Sequence, residues 1–164
     1  MIETCGNMNP LTGKPLSYFK PLFTTLPPPA VPSLKGVYRG QFTGPAWLRV
    51  TAPSSLALAG LGGWWGKIFP GDGTGHNLVL RQGKLQPRFP IRLAVLPSLV
   101  DSKPGLTVQY TAECPFPWPH IIDELRCLDE TCLLGLTIIN LGFLRHLAFP
   151  FLLFPEDLSL DQLG

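Results

Sequence analysis

Nineteen prolines and seventeen glycines are spread along the 164 residues of this chain, and no other feature limits its fold as strongly. A proline inside a helix lacks the backbone donor and clashes with the preceding turn, so long helices are disfavoured almost everywhere. Glycine and proline at such frequency instead punctuate short extended segments. Hydrophobic residues make up 45% of the chain, enough to bury one ordinary core without disulfide staples. The expectation is one mostly β domain.

Alternation along the sequence supports this. In VYRGQF, Tyr38 and Phe42 fall on one face and Arg39 and Gln41 on the other. RFPIRLAV sends Phe89, Ile91, Leu93 and Val95 one way, and LTVQY does the same with Leu106, Val108 and Tyr110. Further strands are expected over residues 47–51, 64–69, 77–81, 121–128, 131–139 and 147–154. Together these make about nine short strands between Gly, Pro and Asp turns, the pattern of an antiparallel barrel or sandwich. APSSLALAG, residues 52–60, reads as one short helix capped by Ser54 or Ser55.

Three regions follow: a proline-rich N-terminal arm over residues 1–33, a β-barrel domain over 34–155, and a tail over 156–164. The arm is expected to run extended, with a short helix around residues 16–22 docking on the body. The apolar run over residues 132–154 is long enough to cross a bilayer, but Asn140, Arg145, His146 and Pro150 interrupt it. It reads as two buried strands around a turn at residues 140–142. Upstream, Asp129 and Glu130 are expected to form a two-residue turn pairing Leu128 with Thr131 and Cys127 with Cys132. That register puts Ile121, Asp123, Leu125, Cys127, Cys132, Leu134, Leu136 and Ile138 on one face. Glu124, Arg126, Thr131 and Thr137 then face solvent, with Glu124 and Arg126 as a surface pair.

Thirteen basic against eleven acidic residues give a formal charge of +2 without a dense Lys/Arg run, which argues against a nucleic-acid partner. MIETCGNMNPL lacks the layout of a secretory signal, so a soluble, cytoplasmic protein with free thiols is expected. The glycine-dense GLGGWWGKIFPGDGTG does not match a phosphate-binding loop: Leu61 and Ile68 stand where glycine and a hydroxyl residue are required. Its glycines read instead as points where a strand bends or another backbone comes close, with Trp64 and Trp65 on opposite faces.

Gly36-Val-Tyr38-Arg-Gly40 and Gly62-Gly-Trp64-Trp-Gly66 both have the form Gly-x-aromatic-x-Gly, and PHIIDELRCLDETCLLGL follows later. This order resembles the little-characterised bacterial proteins with a Gly-x-Trp-x-Gly signature, although Tyr38 replaces the first tryptophan. The resemblance implies a small calycin-like (lipocalin-like) β-barrel in which a Gly-x-Trp strand closes the base of a cup. A weaker similarity, to nitrobindin-type barrels, implies haem with His76 or His146 as candidate ligand; otherwise no cofactor is expected.

Asp123 carries the most chemical information, since a carboxylate on an apolar face is primed for proton transfer, paired internally with an arginine, or brought to the surface by a shift of the strand. His120 adjoins the same strand, as a catalytic partner or a strand-end cap. The cysteines lack zinc-site spacing, so no metal is expected, and Cys127 and Cys132 read as thiols unless oxidised into a cross-strand disulfide. Tyr38, Phe42, Trp64, Phe89, Tyr110 and Trp118, with Trp47, are candidate walls of a pocket. The leading expectation is a barrel that binds a small hydrophobic molecule, lipid or pigment-like, anchored at Asp123. Two alternatives stand beside it. One is an isomerase or cyclase using Asp123 with His120 or Tyr110; the other is a module that binds a protein or a membrane surface.

Overall fold

The computed structural model describes residues 9–30, 34–158 and 163. Eight antiparallel strands close into a barrel in sequence order: β1 (Gly36–Phe42), β2 (Trp64–Phe69), β3 (Thr74–Arg81), β4 (Lys84–Pro97), β5 (Pro104–Tyr110), β6 (Ile121–Asp129), β7 (Cys132–Ile139) and β8 (Ala148–Glu156). Strand β8 returns to pair with β1, for instance Gly40 with Leu153, so neither strand is left as an open edge. The up-and-down order sorts the connections by end. At the upper end lie the 43–63 segment, the 82–83 turn, the 111–120 loop and the 140–147 turn; at the lower end lie the 70–73 and 130–131 turns and the 98–103 loop.

The expected strand over residues 47–51 is instead the start of a helix, α2 (Ala46–Leu56). Pro45 precedes it with extended backbone, a position where proline's missing donor costs nothing. The helix runs on through Pro53 into a π turn, Ala57–Leu61, and ends at Gly60 with φ 91°. Leu48, Thr51, Ala52, Ser55, Leu56 and Ala59 all look into the barrel, at spacings of three and four that suit a helix and not a strand. Neither Ser54 nor Ser55 caps it.

At the other terminus, α1 (Leu16–Thr25) forms where the docked helix was expected. It buries Phe19 and Phe23 against Leu134, Leu136, Ile138 and Leu152 on the outer face of β7 and β8. That contact overturns the expected β6–β7 register. Glu130 and Thr131 form the turn, Asp129 pairs with Cys132, and a bulge between Cys127 and Asp129 brings Cys127 opposite Leu133 and Asp123 opposite Thr137. One extra residue reverses the parity of a strand. Cys132, Leu134, Leu136 and Ile138 therefore face α1, while Leu133, Gly135 and Thr137 face inward with Asp123 and Leu125.

Glu124 and Arg126 lie on the outer face but are buried and not paired with each other. Glu124 accepts from the Ser98 hydroxyl and, at 2.6 Å, from the Leu99 amide. Arg126 makes two 2.8 Å bonds to Asp101 and donates to the Phe23 carbonyl at 2.7 Å, tying α1 to the 98–103 loop. Cys127 and Cys132 now sit on opposite faces of the sheet, which rules out the cross-strand disulfide; both are free.

The apolar run over residues 132–154 forms β7 and β8, joined by a 3-10 turn (Gly142–His146) longer than the expected turn. Among the described residues no helix is long and apolar enough to cross a membrane. Inside the barrel, Leu34, Tyr38, Phe69, Leu106, Leu125, Leu133 and Leu153 fill the lower half. The upper half is not filled.

Candidate functional site

A cavity of about 390 Å³ occupies the upper half of the barrel, beneath α2 and the 3-10 turn Trp118–His120. Its walls are mainly apolar: Phe42, Leu61, Trp64, Trp118, Ile121, Phe149 and Phe151 with the inner face of α2. Trp118 donates to the Ala59 carbonyl at 2.6 Å and so fastens the 111–120 loop to the end of the helical segment. Trp47 lines the cavity yet is 54% exposed, which marks the rim.

Set into these walls is one polar cluster. Lys67 enters from β2, Asn77 from β3, Tyr110 from β5, Asp123 from β6 and Thr137 from β7. The Lys67 ammonium lies 2.9 Å from Asp123 Oδ2, and donates to Asn77 Oδ1 at 2.9 Å and to the Tyr110 hydroxyl oxygen at 3.2 Å. Thr137 donates to Asp123 Oδ1 at 2.7 Å, the Tyr110 hydroxyl to Oδ2 at 3.4 Å, and the Trp64 indole to Asn77 Oδ1 at 3.1 Å. Burial, with the Asp123 carboxylate beside it, pushes the Tyr110 phenol well above its usual value. It is therefore a neutral donor at physiological pH. The Lys67 charge also lies 5.4 Å from the Tyr110 ring centre and 5.9 Å from that of Phe151, close enough for the ring quadrupoles to help hold it.

Lys67 reaches the interior because β2 carries a bulge between Trp64 and Gly66. Strict alternation from an inward Trp64 would put Lys67 outside. The bulge leaves Trp65 packed outside near Val37 and Leu78 and sends Lys67 and Phe69 inward. Thr137 arrives inside through the bulge beyond Cys127. The partner of Asp123 is thus a lysine, where the sequence had suggested an arginine.

Of the six aromatic residues expected to form a pocket, Phe42, Trp64, Tyr110 and Trp118 line the cavity. Tyr38 lies below it, edge-on to Phe69, and Phe89 packs behind Trp118. Trp64 is part of the cavity wall, so the base of the cup is closed by Tyr38 and its aliphatic neighbours. His120 is exposed, stacked edge-on against Phe116, and its carbonyl accepts from the Asn140 amide. It does not reach the cluster.

His76 is half-buried on β3 and His146 is exposed on the 3-10 turn, and neither lines the cavity. Among the described residues no histidine, cysteine or methionine lines the cavity, and its tyrosine is held protonated. The ligand set that a haem iron requires is not offered there. Among the described residues no group of three or more His, Cys, Asp or Glu side chains is placed to hold a metal ion.

The fold and site together define a closed eight-stranded antiparallel barrel with a partly open, aromatic-walled interior. The crystal structure of a protein from Thermomonospora curvata is similar to it, with a TM-score of 0.66 at 17% identity over 86% of this chain and 87% of that one. Similarity at that identity reports a shared fold. No family model matches the chain, and no curated protein does.

Proposed function

We propose that this protein is a calycin-like barrel that binds a small hydrophobic molecule in its upper half. The observation that carries the reading is the cavity itself. A volume of about 390 Å³, apolar aromatic walls and a single polar cluster are the attributes of a small-molecule site. A core meant only for stability would be packed to close density there, as the lower half is. The rigid aromatic walls offer contact area to a flat or aliphatic ligand at little entropic cost.

Native mass spectrometry of the purified protein tests this. A co-purified organic molecule, or saturable quenching of the Trp64 and Trp118 fluorescence by an apolar probe, is the expected result. Absence of both, with a probe that fits the volume, overturns it.

Catalysis of isomerisation or cyclisation by Asp123 has less support. Both carboxylate oxygens already accept hydrogen bonds, from Lys67, Tyr110 and Thr137, so neither stands free to meet a substrate. A surface role has one observation in its favour. Trp47, Val50, Leu58, Phe116 and Phe143 are all more than half exposed, and all belong to the upper end of the barrel. An apolar rim of that kind suits contact with a membrane surface from which an apolar ligand is collected. Co-sedimentation with neutral lipid vesicles, reduced by Trp47→Ser with Phe143→Ser, is the expected result of that second reading.

A further inference from the structure

The polar cluster has one hydrogen-bond donor left unspent, and this narrows what the cavity accepts. Lys67 has three N–H donors, and Asp123, Asn77 and Tyr110 take all three. The Tyr110 and Thr137 hydroxyls donate to Asp123, and the Trp64 indole donates to Asn77. The Asn77 amide nitrogen, on a residue with no exposed surface, makes no hydrogen bond of ordinary length; it interacts weakly with the Tyr110 oxygen, which leaves one of its two N–H groups unspent. Its orientation is settled by chemistry. Both groups bonded to Oδ1, the Lys67 ammonium and the Trp64 indole, are donors only, so a flipped amide would set donor against donor. The unspent donor therefore belongs to Asn77 Nδ2, and Asn77 lines the cavity.

Charge narrows the choice further. The Lys67 and Asp123 charges cancel, and no N–H of Lys67 remains for a second anion. A ligand carboxylate would enter an apolar space beside the Asp123 carboxylate with no cation to meet it. A pure hydrocarbon would leave Asn77 Nδ2 unsatisfied. Building on the ligand-cup reading above, we infer that the cavity selects neutral, apolar molecules that carry a carbonyl oxygen, with the oxygen accepting from Asn77 Nδ2. Ketones, lactones and esters satisfy this requirement; fatty acids and simple hydrocarbons do not.

Three probes of nearly the same shape separate the possibilities: acetylnaphthalene, isopropylnaphthalene and naphthoate at neutral pH. Binding is read by tryptophan quenching and by calorimetry on the intact chain. Acetylnaphthalene is expected to bind about tenfold more tightly than the hydrocarbon, the value of one hydrogen bond to an otherwise unpaired donor, and naphthoate more weakly than either. The carbonyl stretch of bound acetylnaphthalene should fall below its frequency in hexane, a measurement that needs no variant. Equal binding of ketone and hydrocarbon, or tightest binding by naphthoate, overturns the carbonyl inference and leaves the cup standing. Failure of all three to bind overturns the cup, and the carbonyl inference with it.

Discussion

Lys67 and Asp123 meet at 2.9 Å inside the barrel, with side chains only 2% and 3% exposed. Neither charge could be carried into so apolar a space alone, and each is sustained by the other and by the neutral donors and acceptors around the pair. Lys67→Met removes the cation and leaves the carboxylate with only Tyr110 and Thr137. Urea unfolding is expected to show a loss of about 3–5 kcal/mol. Adding Asp123→Asn to that variant removes the stranded charge and should restore a large part of the loss. A double variant as unstable as the single one would show that the two groups are not coupled.

The barrel was legible because its signals are local. Alternation placed Leu106, Val108 and Tyr110 inside β5, and the bounds of β2 at Trp64 and Phe69 were read directly. The polar cluster was half legible. Asp123 stood out as the charged member of an apolar face, but Lys67 and Thr137 reach the interior through bulges in β2 and at the end of β6, and one inserted residue leaves no mark in an alternating pattern. The outer face of β6 and β7 departs from the sequence pattern for a different reason. Its cover, α1, comes from more than a hundred residues away, and periodicity within a strand does not report what lies over it. In α2, Trp47 and Val50 suggested a strand, while the three-and-four spacing of its inward residues was visible only once the cavity was known.

Acid sensitivity should centre on the Asp101–Arg126 pair. The Arg126 hydrogen bonds hold the Asp101 carboxyl below its usual value. Folded Asp101 therefore titrates lower than unfolded Asp101, which takes an ordinary value of about 3.9. The stabilisation is complete above that value and is lost as pH falls through the lower folded one. Asp101→Asn should cost about 1 kcal/mol at neutral pH and flatten the acid limb of the stability profile. Denaturation midpoints measured from pH 7 down to strong acid check both; an unchanged slope would exclude Asp101 as a contributor.

Cysteine chemistry should follow the corrected register. Burial, with Asp129 adjacent, pushes the Cys132 thiol up to about 12, and burial also raises Cys127. Neither forms much thiolate at neutral pH, and they lie on opposite faces of the sheet. Peptide mapping after treatment of the folded protein with a mild oxidant should find no Cys127–Cys132 bridge. Iodoacetamide should modify Cys132 only in denaturant. Rapid labelling of native Cys132 would contradict its place beneath α1.

The two Gly-x-aromatic-x-Gly segments pair with each other in β1 and β2, Tyr38 opposite Lys67 and Arg39 opposite Gly66, and their glycines are needed for different reasons. A Cβ on Gly66 would run into the Tyr38 carbonyl oxygen and the Gly40 amide, both main-chain atoms that cannot move without opening the β1–β2 ladder. A Cβ on Gly40 would instead meet the Trp64 ring, a side chain that can swing away, though only by leaving Asn77. Gly66→Ala should therefore be the more damaging, costing about 3 kcal/mol or more, at the upper end of the range for overpacking. Gly40→Ala should cost less, about 1–2 kcal/mol, and carry its own signature, because displacing Trp64 alters the cavity wall. Its tryptophan emission should shift, and an apolar probe should bind more weakly while the barrel remains folded by circular dichroism. Equal losses of stability without a change in emission would mean that Gly40 does not seat the Trp64 ring.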